Sequence, residues 1–300
     1  MTKKQFAPLA ILSIGALLAA CGNNAENAEN NGNNNPENNN EASEQTDELT
    51  IGVTPWTSTI PPTYIAKNIF EDMGYDVELI EADVSTIFIG LADDDIDVYM
   101  DSWMPVHENY YEEYNDDITN IATSYPSADS GLAVPEYMDD VETIEDLKGM
   151  EDEFDNSLYG IEEGASVMDE LRDLIDEYEL DMELVASSEG GMISQAQRNM
   201  ANEDPVVFYG WRPHSMFNEL DIKLLDDPDE FFDEASVHVM IDNDIEQTAP
   251  DAFAFLENWS IDIDDVEEMI VQIEDDADEA DVAAEWIEEN QERVDDMRGE

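Results

Sequence analysis

Two α/β lobes joined by two extended connections, with a cleft between them, are predicted by three features of this sequence. Strand and helix patterns alternate from Glu48 to Met100, they alternate again within residues 134–234, and two extended segments, Ser130 to Val134 and Ala235 to Ile241, bracket the second run. Two lobes joined by two strands can hinge and close on a ligand.

The elements follow from local pattern. ELTIGVT (Glu48 to Thr54) alternates and then runs apolar, a first strand; Pro55-Trp56-Thr57-Ser58-Thr59 breaks it and offers hydroxyl caps. Apolar side chains recur at helical spacing from Pro62 to Asp72, and Gly74 ends that helix. Tyr75 to Glu81 reads as a strand, Ser85 to Ala92 as a helix and Ile96 to Met100 as a third strand. This order implies a parallel sheet whose ligands sit beyond the carboxyl ends of the strands, where Trp56 and Trp103 fall. A Tyr-rich helix covers Glu108 to Tyr114. In the second unit the strands are Asn156 to Ile161, Met182 to Ala186 and Val206 to Tyr209, with helices at Met168 to Tyr178 and Met192 to Asn202. We therefore assign residues 48–133 to the first part of lobe 1, 134–234 to lobe 2, and 235–300 to a helical return to lobe 1.

Residues 1–20 read as an export leader. Lys3 and Lys4 precede an apolar run from Phe6 to Ala20, too short for a stable membrane span, and Leu18-Ala19-Ala20-Cys21 resembles a bacterial lipobox. That resemblance implies cleavage before Cys21 and lipid attachment to its thiol, the only one in the chain. Residues 21–47 are rich in Asn and Glu and hold no aromatic or large aliphatic side chain, so they read as a disordered tether. About 26 such residues span roughly 25 to 30 Å. The expected location is the outer face of the cell membrane.

Charge is the anomaly of the composition. Ten Lys and Arg stand against 78 Asp and Glu, a net charge of −68. With no basic stripe to neutralise phosphates, nucleic acid is excluded as a partner. The acids punctuate helices and turns throughout, as in ADDDID (Ala92 to Asp97), which is the pattern of a solvated surface. No DxDxDG-type loop supports calcium, and neither a metal nor a cofactor is expected.

Chemistry concentrates in VVFYGWRPHSMF (Val206 to Phe217), where an apolar strand meets Gly210 and then delivers Trp211, Arg212, Pro213 and His214. An indole beside a guanidinium and an imidazole suits a pocket rim better than a core, because the polar groups need partners. Trp56, Trp103 and Trp259 also follow strands or sit in loops, whereas Trp286 has core spacing in a helical pattern. Indole faces are the best π partners for a cation with no N–H to donate, such as a trimethylammonium. Three desolvated faces at about 2 kcal/mol each give about 6 kcal/mol, a dissociation constant in the tens of micromolar.

IGVTPWTST, GLADDDIDVYMDSWMPVHENYY, VVFYGWRPHSMF and ENWSIDIDDVEEM resemble, in order and spacing, the glycine betaine-binding lipoproteins of ABC-type osmoprotectant uptake systems, over residues 48–300. The resemblance implies a periplasmic-binding-protein type of α/β fold, an aromatic cage for quaternary ammonium, a polar subsite for the carboxylate, and a membrane permease as partner. Carried over by motif, Trp103, Trp211 and Trp259 are cage walls, and Trp56 matches a cage position of related choline binders. For the carboxylate, the backbone N–H groups of Thr57 and Ser58 open a helix and offer an anion site, and His214 or His238 adds a hydrogen bond. Choline, carnitine, proline betaine and ectoine remain alternative solutes on the same scaffold. An enzyme is the competing class, but no activated Ser or Cys nucleophile, metal-ligand spacing or phosphate-cradling glycine loop is recognisable, so no catalytic residue is assigned.

Self-repulsion among so many carboxylates opposes compaction in dilute buffer, and at about 1 M salt the screening length falls to about 3 Å. Thermal melts in low and molar salt are expected to show a higher melting temperature in the latter. No gain with salt would remove the reading of a salt-adapted surface.

Overall fold

A computed structural model describes residues 46–299. The leader, Cys21 and all but the last two residues of the tether therefore lie outside the described residues. Chain order begins with β1 (Glu48–Val53), α1 (Ile60–Met73), β2 (Asp76–Glu81), α2 (Val84–Ala92), β3 (Val98–Met104), α3 (Glu108–Tyr114) and β4 (Ile118–Ala128). It continues with β5 (Ser130–Pro135), β6 (Ser157–Tyr159), α4 (Val167–Glu177), β7 (Glu183–Val185), α5 (Glu189–Met200), β8 (Phe208–Trp211), α6 (Met216–Glu219) and β9 (Ile222–Leu224). The chain then returns through β10 (Ala235–Asp242), α7 (Ile245–Thr248), α8 (Pro250–Glu257), α9 (Ile263–Glu274), α10 (Glu279–Glu289) and α11 (Gln291–Arg298).

Two five-stranded sheets result, ordered β2-β1-β3-β10-β4 and β7-β6-β8-β5-β9. Both are mixed rather than parallel. In the first, β10 returns from lobe 2 and runs antiparallel to β3 and β4; in the second, β5 enters antiparallel to β8 and β9. The segments read as crossovers are thus sheet strands. The passages between lobes lie just before each, at Asp129 and between Leu224 and Ala235. Strand β4, absent from the sequence reading, lies at a sheet edge, which is why its pattern is polar and tolerates Pro126.

Two strands also run further than their apolar patterns. β3 extends through Asp101, Ser102 and Trp103, all buried, and β8 extends to Trp211. Alternation then sets Tyr99, Asp101 and Trp103 on one face of β3, and Tyr209 with Trp211 on one face of β8. Gly160 fixes the approach of α4 to the second sheet: a Cβ there would lie 2.6 Å from Met168 Sδ. Only a bare backbone lets the first turn of α4 come down beside β6.

At the opposite end of β3 from Trp103, Asp242 is buried at the end of β10. Its Oδ1 accepts the N–H groups of Asp244 (2.7 Å) and Ile245 (3.1 Å), while Oδ2 has no partner. Burial pushes its pKa up to about 7, against those hydrogen bonds, and repulsion from Asp97 and Asp94 adds to the rise. Because this lies above the unperturbed 3.8, the folded state holds a proton that the unfolded state has released between about pH 4 and pH 7. Stability from this group is therefore lost as pH rises through that window. Asp242→Asn keeps the Oδ1 acceptor and removes the charge. The margin of its melting temperature over wild type is expected to widen by a few degrees from pH 4 to pH 8; a margin constant across that range would refute the assignment.

Candidate functional site

A cleft of about 380 Å³, counting its open mouth, is lined from lobe 1 by Trp56, Ser58, Trp103, Val106 and His107. Lobe 2 supplies Ile161, Ala165, Ser166, Val167, Tyr209 and Trp211. Trp56 follows β1, Trp103 sits near the end of β3 and Trp211 ends β8, so three strand ends deliver three indoles to one space. All three rings are buried. Trp211 is held between neighbours, stacked on Tyr209 at 5.4 Å between centroids and 24°, with His214 edge-on at 4.8 Å.

His107 stands beside Trp56, its ring stacked at 6.1 Å and 23°. Its Nδ1 accepts the backbone N–H of Trp103 at 3.0 Å, which places the ring proton on Nε2. Burial lowers its pKa to about 3. It is a neutral imidazole that can only donate from Nε2. Across the cleft, Ser166 opens α4; its Oγ has no partner, whereas the N–H groups of Met168 and Asp169 in that first turn already donate to the carbonyls of Ala165 and Ser166. Donors for an anionic group therefore exist on both walls. The spacing Trp103-x-x-x-His107 was visible in the sequence, but nothing there distinguished it from a helix cap. Tyr209, two residues before Trp211 on one strand face, was inferable from alternation once β8 was known to reach Trp211.

Other expected residues lie elsewhere. Trp259 does not reach the cleft: it packs edge-on against Phe255 at 5.7 Å, and its indole N–H donates to Ser124 Oγ at 2.8 Å inside lobe 1. Its position after α8 looked like a rim, but the turn folds inward. Thr57 and His214 converge on Glu189, which caps the approach. The Thr57 N–H (3.2 Å) and Oγ1 (2.8 Å) donate to that carboxylate. His214 Nδ1 accepts the Met216 N–H at 2.9 Å, so its Nε2 donates to Glu189 Oε1 at 3.0 Å. A protein carboxylate thus occupies the donors expected to meet a ligand's. His238 is also spoken for, by Asn120 at 3.1 Å and Ser236 at 2.8 Å.

Glu189 in α5 and Thr57 belong to different lobes, so this contact bridges the cleft. Two more do likewise. The Trp56 indole N–H donates to Glu162 Oε1 at 2.8 Å. Arg212 grips Glu267 of α9 with two bonds, Nε to Oε1 at 2.7 Å and Nη2 to Oε2 at 2.5 Å.

A family model for the substrate-binding domain of ABC-type glycine betaine transport systems matches residues 47–289. The chain belongs to that family. It is 30% identical over 151 residues to a glycine betaine/carnitine transport binding protein of Listeria monocytogenes, a match covering 49% of this chain and 50% of the relative, so the chain spans about half that relative's length. A glycine betaine/L-proline-binding protein from Borrelia burgdorferi superposes with a TM-score of 0.78 at 29% identity, over 82% of this chain and 95% of that one. An ABC-transporter choline-binding protein in complex with choline gives 0.77 at 26% identity, over 83% and 90%. A lactococcal relative in its closed conformation with glycine betaine gives 0.77 over 83% and 98%; at 24% identity it supports the fold, two lobes of the periplasmic-binding type. The family and these neighbours are substrate-binding proteins of transporters, not enzymes.

The Arg212–Glu267 pair is testable by a double-mutant cycle. Glu267 is nearly buried, its side chain 8% exposed against 40% for Arg212, so removing the guanidinium leaves a carboxylate short of partners. Arg212→Met and Glu267→Gln, singly and together in urea unfolding, are expected to show a coupling of about 1–3 kcal/mol. Additive effects would mean that the bridge contributes nothing.

Proposed function

We propose that this protein captures glycine betaine outside the cell and delivers it to the permease of an ABC transporter. The observation that carries the reading is the convergence of Trp56, Trp103, Trp211 and Tyr209 from two lobes on one desolvated space, with the neutral donor His107 and the unpartnered Ser166 hydroxyl beside it. The trimethylammonium lies against the ring faces, where attraction to each is worth about 2 kcal/mol and external salt screens it little. The carboxylate takes the Nε2–H of His107 and the Ser166 hydroxyl. Since a betaine carries no net charge, the strongly acidic surface neither attracts nor repels it appreciably.

Among the described residues no helix is long and apolar enough to cross a membrane. Retention at the outer membrane face falls, in this reading, to the lipid on Cys21, with residues 21–47 as the tether that lets the lobes meet the permease. Lobe 1 as residues 48–128 and 235–299 and lobe 2 as 130–234 are part of the same proposal; the expected boundary after residue 133 moves to Asp129 because β5 pairs within the second sheet. Choline is the second reading, favoured by Ser58, a cleft-lining residue whose hydroxyl already donates to Asp101 and so has only lone pairs left for an alcohol.

Calorimetric titration with glycine betaine, choline and ectoine separates these. Trp211→Ala is expected to weaken betaine binding by about tenfold or more. Trp259→Phe is expected to leave it near wild type, and His107→Ala to cost betaine more than choline. Unchanged betaine affinity in Trp211→Ala would place the ligand elsewhere.

A further inference from the structure

Behind the cage lies a buried acid that binding of an ammonium group does not require. Asp101 on β3 is fully buried and accepts the Ser58 hydroxyl on Oδ2 at 2.9 Å, while its Oδ1 has no partner. Ser58 lines the cleft. The carboxyl is therefore one hydrogen bond away from whatever occupies the cage. An ionised Asp101 accepts only, which commits the Ser58 proton to it and leaves Ser58 offering lone pairs to a ligand. A protonated Asp101 can donate to Ser58 and frees the Ser58 proton to point into the cleft.

Resting on the betaine-binding reading above, we propose that Asp101 is a positioning residue that sets the hydrogen-bonding polarity of Ser58, and with it the preference between a carboxylate-bearing and a hydroxyl-bearing quaternary ammonium ligand. In the protonated form Ser58 donates to a betaine carboxylate. In the ionised form it accepts from the alcohol of choline, and the added negative charge favours a net cation over a zwitterion.

The surroundings put this choice in an accessible range. Burial pushes the Asp101 pKa up to about 7; the Ser58 hydrogen bond and the nearby Trp103 indole oppose the rise, and the charge of Glu189 adds to it. Facing Asp101 are Tyr99 on its own strand and Tyr125 on β4, both driven far above the ordinary phenol range by burial, so neither titrates nearby. His107 stays neutral. Glu189 and His214 face each other on the lobe 2 side, across the Thr57 bridge.

The test is calorimetric titration of the full chain with glycine betaine and with choline between pH 5.5 and 8.5, on wild type, Asp101→Asn and Ser58→Ala. The betaine-to-choline affinity ratio of wild type is expected to fall about tenfold or more as pH rises, the effect of one hydrogen bond to a charged group. Near pH 7, betaine should bind with proton uptake and choline with proton release, read from buffers of different ionisation enthalpy. Asp101→Asn and Ser58→Ala should each flatten the ratio. Should Asp101→Asn fail to fold, Ser58→Ala alone carries the test, because it removes only one hydroxyl. A ratio constant with pH in wild type, or an unchanged slope in either variant, overturns the inference while leaving betaine capture standing. Failure of wild type to bind either ligand overturns both.

Discussion

Two lobes that are both strongly acidic must be brought face to face over an apolar cage, and this constraint organises the polar chemistry of the molecule. Within residues 130–234 the bases are Lys148, Arg172, Arg198, Arg212 and Lys223, set among a large excess of Asp and Glu. Lys148 and Arg172 pair with acids of their own lobe. Arg212 is the one that reaches across, to Glu267. Where no cation is to hand, the remaining bridges use neutral donors: the Trp56 indole N–H on Glu162, and the Thr57 hydroxyl and N–H on Glu189. Each satisfies a carboxylate at the cleft without adding like charge to either face. Exposed ion pairs elsewhere are screened and worth little, but a bidentate pair with one partner nearly buried is not.

The interior of the cleft follows the opposite rule, neutrality. His107 is kept uncharged by burial and has its proton directed to Nε2 by the backbone of Trp103. The unpartnered group on the other wall is the Ser166 hydroxyl. A site built from ring faces and neutral donors fits a molecule that carries both charges on itself. Raising the salt concentration weakens repulsion between the lobes while barely touching the desolvated ring faces.

How much of this could be read from the sequence is decided by which signals are local. Trp103 and Trp211 were legible because each ends an apolar strand pattern, and in a doubly wound sheet the strand end faces ligand. Trp259 sat in an equally suggestive loop, and only the tertiary partner Ser124, 135 positions away, shows it to be core. Thr57 and His214 had the right chemistry for an anion, yet Glu189 lies far from both in sequence and takes the place expected of the ligand. Strand β4 was invisible for an edge-strand reason: half its side chains meet solvent, and ITNIATSYPSA carries too little apolar alternation to stand out. The mixed sheets were missed because the direction of β10 depends on where the chain comes back from, which no local pattern encodes.

Segment Tyr209 to His214 joins these threads. Tyr209 and Trp211 form a stacked wall of the cage, Arg212 grips lobe 1 through Glu267, and His214 both buttresses the Trp211 ring and holds the carboxylate that bridges to Thr57. Six consecutive residues therefore carry a wall of the cleft, one contact across it and the support of a second. Whatever orders the Trp211 ring steadies the same short stretch of backbone from which the Arg212 bridge projects and on which the Glu189 bridge is braced. Coupling between capture and closure needs no longer pathway than that, because one strand end supplies both surfaces.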